Sequence, residues 1–193
     1  MRYILASKSP RRKELLATII KDFEVKESNF DEDSLNYKNP RKLVCELAKG
    51  KANAIFEKEK GERCVIGADS VVVIDNKVLG KPKNEEDAKR MLKMLRGRKH
   101  KVLTGVCVMA TEDDENSISV SFVCSTTVLF RYIENEEIDG YVASKEPMDK
   151  AGSYAIQGIA GKFVQKVSGS FHNIVGLPTA HLYTVLKNED LLK

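Results

Sequence analysis

The sequence predicts an α/β protein in which helices flank one mixed β-sheet. Residues 64–74 are almost continuously apolar, which is typical of a strand buried on both faces. Residues 118–130 instead alternate between apolar and polar positions, and an acidic turn separates them from another strand near 100–110. Between the strand segments, apolar residues recur at the spacing of helices. A chain that combines strand hairpins with helices that connect other strands indicates a mixed sheet.

Residues typical of helix ends mark several of the predicted boundaries. Ser9 suits an N-cap with Pro10 in the first helical turn, and a second helix is expected to begin near Asn39-Pro40 and to run to about Glu57. Asn84 with Asp87 caps a third helix that Gly97 ends. Other segments are assigned by pattern alone: a strand at 3–6, a turn at Asp75-Asn76 that leads into Val78-Leu79, helices near 134–143 and 178–187, and mostly loop with short strand at 152–176. The length of 193 residues fits a single domain over 1–193.

Composition narrows the class of protein. Hydrophobic residues make up 42% and charged residues 31% of the chain, and no apolar run is long enough to span a membrane. No secretory signal is recognisable at the start, so the cytoplasm is the expected location. The net charge of +4 is concentrated in residues 1–20, which favours a small polyanion over a nucleic acid.

Asp69 is the most informative residue because it interrupts an apolar strand. Burying an unpaired carboxylate costs several kcal/mol, so such a residue is usually paired, metal-bound or catalytic. The alternative is a structural Asp bonded to backbone amides at a bulge after Gly67.

Two lysines, whose charge is positive, also stand in places that need an explanation. Lys51 falls on the apolar face of the second helix, where a lysine either serves a site or extends its ammonium to solvent. Because an unsatisfied buried ammonium is costly, its removal could even stabilise the empty protein. Lys81 lies between Gly80 and Pro82, and by itself would be an ordinary turn lysine.

A candidate phosphate cradle lies where the first strand meets the first helix. The free amides of a helix N-terminus favour phosphate, and arginines add bidentate hydrogen bonds. The residues concerned are Ser7, Ser9, Arg11 and Arg12. A capped, solvated basic helix is the alternative, and the sequence has no P-loop or dinucleotide-binding motif.

The remaining candidates are weaker. Glu32, in the acidic run 31–33, could be a metal ligand or simply a solvated loop residue. The histidines, His100, His172 and His181, lack metal-ligand spacing and are interpreted as structural or surface residues. The four cysteines are interpreted as reduced.

Several segments, in order along the chain, resemble the Maf family. They are LASKSPRRKELL at 5–16, DE at 31–32, ELAKGKA at 46–52, GADSVV at 67–72, LGKP at 79–82, MLKMLRGRKHKVLTGV at 91–106, EPMDKAGSYAIQG at 146–158 and GSFHNIVGLP at 169–178. The resemblance implies a two-lobed α/β fold of the inosine-triphosphatase type around a cleft, commonly homodimeric. It also implies a pyrophosphatase dependent on Mg²⁺ or Mn²⁺ that releases nucleoside monophosphate and pyrophosphate.

The resemblance also implies residue roles. Asp69 matches the proton acceptor and, with Glu32, the metal site. Phosphate-contacting positions are matched by Ser7, Arg12, Lys51 and Lys81. The positions linked to base preference are Arg11, Ser70 and Gln157, and they are similar to the dTTP/UTP subgroup except that Ser70 stands where Thr is usual. Two alternatives stay open: a broader house-cleaning pyrophosphatase for modified nucleotides, and a non-enzymatic regulator of cell division.

Overall fold

The computed structural model describes residues 1–32, 35 and 37–192. Within these residues the helices are α1 (Pro10–Ala17), α2 (Pro40–Phe56), α3 (Glu85–Leu95), α4 (Asn135–Ala143), α5 (Phe171–Val175) and α6 (Thr179–Asn188). The strands are β1 (Arg2–Ala6), β2 (Glu24–Val25), β3 (Arg63–Ile74), β4 (Lys77–Leu79), β5 (Lys99–Thr111), β6 (Ser117–Phe130) and β7 (Val164–Ser168).

In the described chain the seven strands form one sheet in the order β2-β1-β3-β5-β6-β7, with β4 paired to β3. β1 pairs in parallel with β2 and β3, whereas β3–β4 and β6–β7 are antiparallel. The predicted α/β class with a mixed sheet is therefore confirmed. The predicted cleft between two lobes and the single domain over 1–193 stay predictions.

The chain divides into two compact units. The first comprises Met1–Asp69, Thr104–Cys124 and Gly176–Lys193, and the second comprises Ser70–Leu103 and Ser125–Val175. The division falls within β3, between Asp69 and Ser70.

The first unit is built around α2 and the start of β3. Its core contains Ile4, Ala48, Ile55, Val65 and Cys107. Gly67 allows the helix to approach the strand closely, because a Cβ at this position would collide with the backbone of Ala48 and Ala52. The glycine that precedes Asp69 therefore fixes the spacing between α2 and β3.

The second unit has a larger, partly aromatic core. Its buried side chains include Val72, Leu92, Phe130, Ile138 and Phe163. The β3–β4 turn places Asp75 and Asn76 at φ values of 49° and 59°, as a tight hairpin of right-twisted strands requires. A turn was expected at the Asp-Asn pair, and the structure shows it as the turn of this hairpin.

Three features differ from the sequence-based expectations. The two-residue β2 and the short α5 were not anticipated, because each lacks the length that periodicity needs. The expected alternation of β6 is seen in its burial from Thr126 onward, whereas Ile118 is 38% exposed.

No helix among the described residues is long and apolar enough to cross a membrane.

Candidate active site

Two carboxylates of the first unit, those of Glu32 and Asp69, meet at the Lys51 ammonium. Its Nζ donates to Oδ1 of Asp69 at 2.6 Å and lies 2.9 Å from Oε1 of Glu32. The Lys51 and Asp69 side chains are only 12% and 13% exposed, while Glu32 is 55% exposed. Removing a lysine and an aspartate from most of their water is costly, and their mutual charge-assisted bond offsets part of that cost.

The secondary structure explains this meeting. Lys51 lies in α2, one turn after the buried Leu47, and so points from the face that packs on the sheet. Asp69 lies where the burial of β3 is interrupted, two residues after the glycine that lets α2 approach. The neighbouring helix and strand therefore bring together two charges that are unusual in apolar segments.

This arrangement decides two questions that the sequence left open. Lys51 does not extend its ammonium to solvent, and Asp69 is bonded to a lysine rather than held at a bulge by backbone amides. The ammonium also has two carboxylate partners, so it is not an unsatisfied buried charge. Its removal is therefore no longer expected to stabilise the protein.

The junction of β1 and α1 holds a second cluster. Ser9 is the N-cap of α1, and its Oγ accepts from the amide of Arg12 at 3.5 Å. The Arg12 side chain donates to Oγ of the buried Ser7 at 3.2 Å and to the carbonyl of Gly176 at 2.9 Å. Arg11 is half-buried in the same helical turn. Since α1 has no acidic residue in its first turn, its N-terminus keeps its positive character.

The pKa of Arg12 depends on charges from both of these clusters in the first unit. Burial lowers the pKa of the Arg12 guanidinium, and the charge of Asp69 opposes that shift. Arg11 lowers the pKa of Arg12 further, while Glu32 raises it. Two cations and two carboxylates are therefore close enough to influence one another, and such a cluster is a candidate functional site.

Gly176 is a contact that sequence reasoning did not single out. It lies at φ 129°, a backbone conformation that side chains other than glycine rarely adopt, and its carbonyl orients Arg12. Its position inside the GSFHNIVGLP segment was the available signal.

The other predicted residues belong to the second unit. Ser70 is half-buried in β3, and both Lys81 and Gln157 are exposed. Lys81 follows Gly80, whose carbonyl accepts from the amide of Gly152 at 3.0 Å. This bond ties the segment that carries Lys81 to the loop that leads to Gln157. The roles of these three residues stay predictions.

The carboxylates of Glu32 and Asp69 fit one side of a divalent-metal site. Their oxygens converge on a single point, at present the Lys51 ammonium, and Mg²⁺ is commonly held by one or two carboxylates together with substrate phosphates. Among the described residues no group of three or more His, Cys, Asp or Glu side chains is placed to hold a metal. The substrate would therefore have to complete the coordination.

His100 and His181 make contacts outside these clusters. His100 is buried, its Nε2 lies 2.9 Å from the Tyr154 hydroxyl, and burial lowers its pKa to about 4. His181 stacks on Phe122 with ring centroids 4.2 Å apart.

Comparison with known proteins shows the family to which the sequence belongs. The sequence profile described as Maf-like protein matches residues 2–189. The dTTP/UTP pyrophosphatase of Clostridium novyi (strain NT) is 48% identical over 186 residues, which is 96% of each chain. The dTTP/UTP pyrophosphatase of Clostridium perfringens (strain 13 / Type A) is 46% identical, with 99% of this chain and 98% of the relative covered. That of Thermoanaerobacter sp. (strain X514) is 47% identical, with 98% and 97% covered. With the match extending over both units and every segment that carries a candidate residue, the chain belongs to the Maf-like protein family.

Proposed function

We propose that this chain hydrolyses dTTP and UTP to the nucleoside monophosphate and pyrophosphate. The relatives that carry the name dTTP/UTP pyrophosphatase are 46–48% identical over nearly the whole chain. The structural observation that supports the proposal most is the contact of Lys51 with Asp69 and Glu32, because it supplies a cation and two carboxylates in one place.

We assign triphosphate binding to Arg12, Lys51 and Lys81. A nucleoside triphosphate carries about four negative charges, which must be neutralised before water can attack. Arg12, held by Ser7 and Gly176, presents a fixed guanidinium, while Lys51 can exchange its carboxylate partners for a phosphate oxygen. Lys81 is assigned the same role on the strength of the LGKP match.

We assign proton removal to Asp69. A water that attacks the α-phosphorus forms a new P–O bond, loses a proton to the Asp69 carboxylate, and displaces pyrophosphate as the α–β bridging bond breaks. A Mg²⁺ or Mn²⁺ ion held by Glu32 and Asp69 would supply charge neutralisation and activation of that water when bound. Lys51, released from Asp69 by the incoming phosphate, leaves the carboxylate free to accept the proton.

Base choice is assigned to Arg11, Ser70 and Gln157. Uracil and thymine present two carbonyl acceptors on either side of one N–H donor. The Gln157 amide can match a carbonyl and the adjacent N–H together, whereas Arg11 can only donate. Ser70 retains the hydroxyl of the more usual Thr at that position.

The chemical step can be tested with ¹⁸O-labelled water. We expect the label in the nucleoside monophosphate and unlabelled pyrophosphate, since water attacks the α-phosphorus. Label found in pyrophosphate, or release of orthophosphate, would contradict the proposed bond cleavage. Absence of hydrolysis of every triphosphate with either metal would favour the non-enzymatic alternative.

We also propose a cytoplasmic location, which agrees with four cysteines that are all free. A homodimer stays a prediction.

A further inference from the structure

The second unit contains a groove that none of the candidate active-site residues lines. Its volume is about 600 Å³, within the range of small-molecule sites. Its polar lining is formed mainly by Asn76, Lys99, Lys101, Thr127, Lys166 and Ser168. The groove is therefore a feature of the fold for which the proposed reaction has no use.

Strand geometry places the lysines on one face. Lys99 and Lys101 alternate along β5 with the buried His100 and Val102, so they point away from the aromatic core. On the other side of β6, Lys166 of β7 is paired with Leu129 and Ser168 with Thr127. The three ammonium groups thus flank β6 from both of its neighbouring strands.

The positive charge of the groove is not neutralised by its surroundings. In the part of the chain that the structure describes, no carboxylate lies within 4 Å of the ammonium groups of Lys99, Lys101 or Lys166. Asp75 also lines the groove, but its two oxygens accept from Arg98 at 2.6 and 2.9 Å. Three lysines that line one groove repel one another, and an anion bound between them would relieve that repulsion.

We propose that this groove binds a small anion with two or more linked phosphoryl groups. Lysine ammonium groups bind phosphate as point charges, and the hydroxyls of Thr127 and Ser168 can donate to its oxygens. Residues two apart on a strand are separated by roughly 7 Å, so linked phosphoryl groups can reach more of these cations than a single phosphate can. Among the described lining residues His100 is the only aromatic one, and its ring packs against Phe130 and Tyr154, so the groove offers no surface on which nucleic-acid bases could stack.

Inorganic pyrophosphate is the probe that tests this inference. We would follow the backbone amide NMR signals of Thr127 and Ser168 during titration, with EDTA present to exclude metal-dependent binding elsewhere. The variants are the double substitution Lys101→Gln/Lys166→Gln and, as a matched control, Lys162→Gln, which removes an exposed lysine outside the groove. The same spectra report whether each variant is folded.

We expect saturable shifts of both amides in wild type and Lys162→Gln, and at least ~10-fold weaker binding in the double variant. No saturable shift at millimolar pyrophosphate, or equal affinity in the double variant, would overturn the inference. An equal response to sulfate at matched ionic strength would also overturn it, as would a response to a short oligonucleotide but not to pyrophosphate. Because no readout depends on hydrolysis, failure here is distinguishable from failure of the proposed function.

Discussion

Lys51 of α2 donates to Asp69 of β3 at 2.6 Å, and both side chains are almost buried. Asp69 would be left as a poorly solvated charge without Lys51, whereas Lys51 also has Glu32 as a partner. The pair satisfies both charges in this structure, and under the proposed function the triphosphate competes with Asp69 for Lys51.

Asp69→Asn is expected to fold and to lose at least ~100-fold in kcat, the scale of a missing general base or metal-linked carboxylate. The amide keeps the shape of the side chain and can still accept a hydrogen bond from Lys51. Thermal unfolding should be measured alongside turnover. A folded Asp69→Asn variant with nearly wild-type kcat would remove Asp69 from the proposed role.

Lys51→Ala should reduce both stability and substrate affinity. We expect a loss of about 1–3 kcal/mol in the free energy of unfolding, because Asp69 keeps its burial and loses its cation. Lys81→Ala is the matched comparison, since Lys81 is exposed and its removal should affect KM with little change in stability. Urea unfolding and steady-state kinetics on both variants separate the two effects. Unchanged KM and kcat in both would show that neither lysine contacts the triphosphate.

Arg12→Lys should impair binding although the charge is retained. A lysine cannot donate at once to the Ser7 hydroxyl and the Gly176 carbonyl with the fixed geometry of a guanidinium. We expect KM for the triphosphate to rise by roughly tenfold or more. If Arg12→Lys binds as tightly as wild type, charge alone is sufficient and the geometric argument is wrong.

His100 should make stability depend on pH. Its pKa is lowered from 6.5 to about 4 in the folded protein, so the folded state resists protonation while the unfolded state does not. The stabilisation is complete above pH 6.5 and is lost as the pH falls toward 4, by up to about 3 kcal/mol at the lower limit. Urea unfolding at several pH values should show a smaller decline in His100→Leu, with the exposed His172→Gln as control. An identical decline in wild type and His100→Leu would contradict this assignment.

Gln157→Glu should damage base selectivity more than overall folding. The exposed position predicts little change in stability, while a carboxylate can no longer donate to a base carbonyl. The ratio of kcat/KM for dTTP to that for GTP should fall, because mismatched polar groups are left unpaired. A ratio equal to that of wild type would assign base choice to other residues.

Local signals made much of the fold predictable. Ser9 and Asn84 were expected as N-caps and are observed as such, and the second helix begins at Pro40, as expected. The buried strand around Asp69 lies within one residue of its expected start. The two-residue β2 could not be predicted, since its existence depends on pairing with β1 rather than on its own sequence.

The site was predictable residue by residue but not as a set of contacts. The sequence showed that Lys51 and Asp69 are unusual in apolar segments, but not that they meet, since that depends on how closely α2 approaches β3 at Gly67. The Gly176 carbonyl that holds Arg12 comes from 164 residues further along the chain, a separation at which no local pattern gives information.

If this chain is a pyrophosphatase selective for dTTP and UTP, kcat/KM measured across the natural triphosphates will show that selectivity. The panel should include dTTP, UTP, CTP, GTP, ATP and several modified nucleotides, each with Mg²⁺ and with Mn²⁺, and Asp69→Asn as the blank. We predict efficient release of pyrophosphate from dTTP and UTP, and values at least ~100-fold lower for CTP and the purine triphosphates. Equal efficiency on GTP and dTTP would contradict the selectivity, and preference for the modified nucleotides would favour the house-cleaning role.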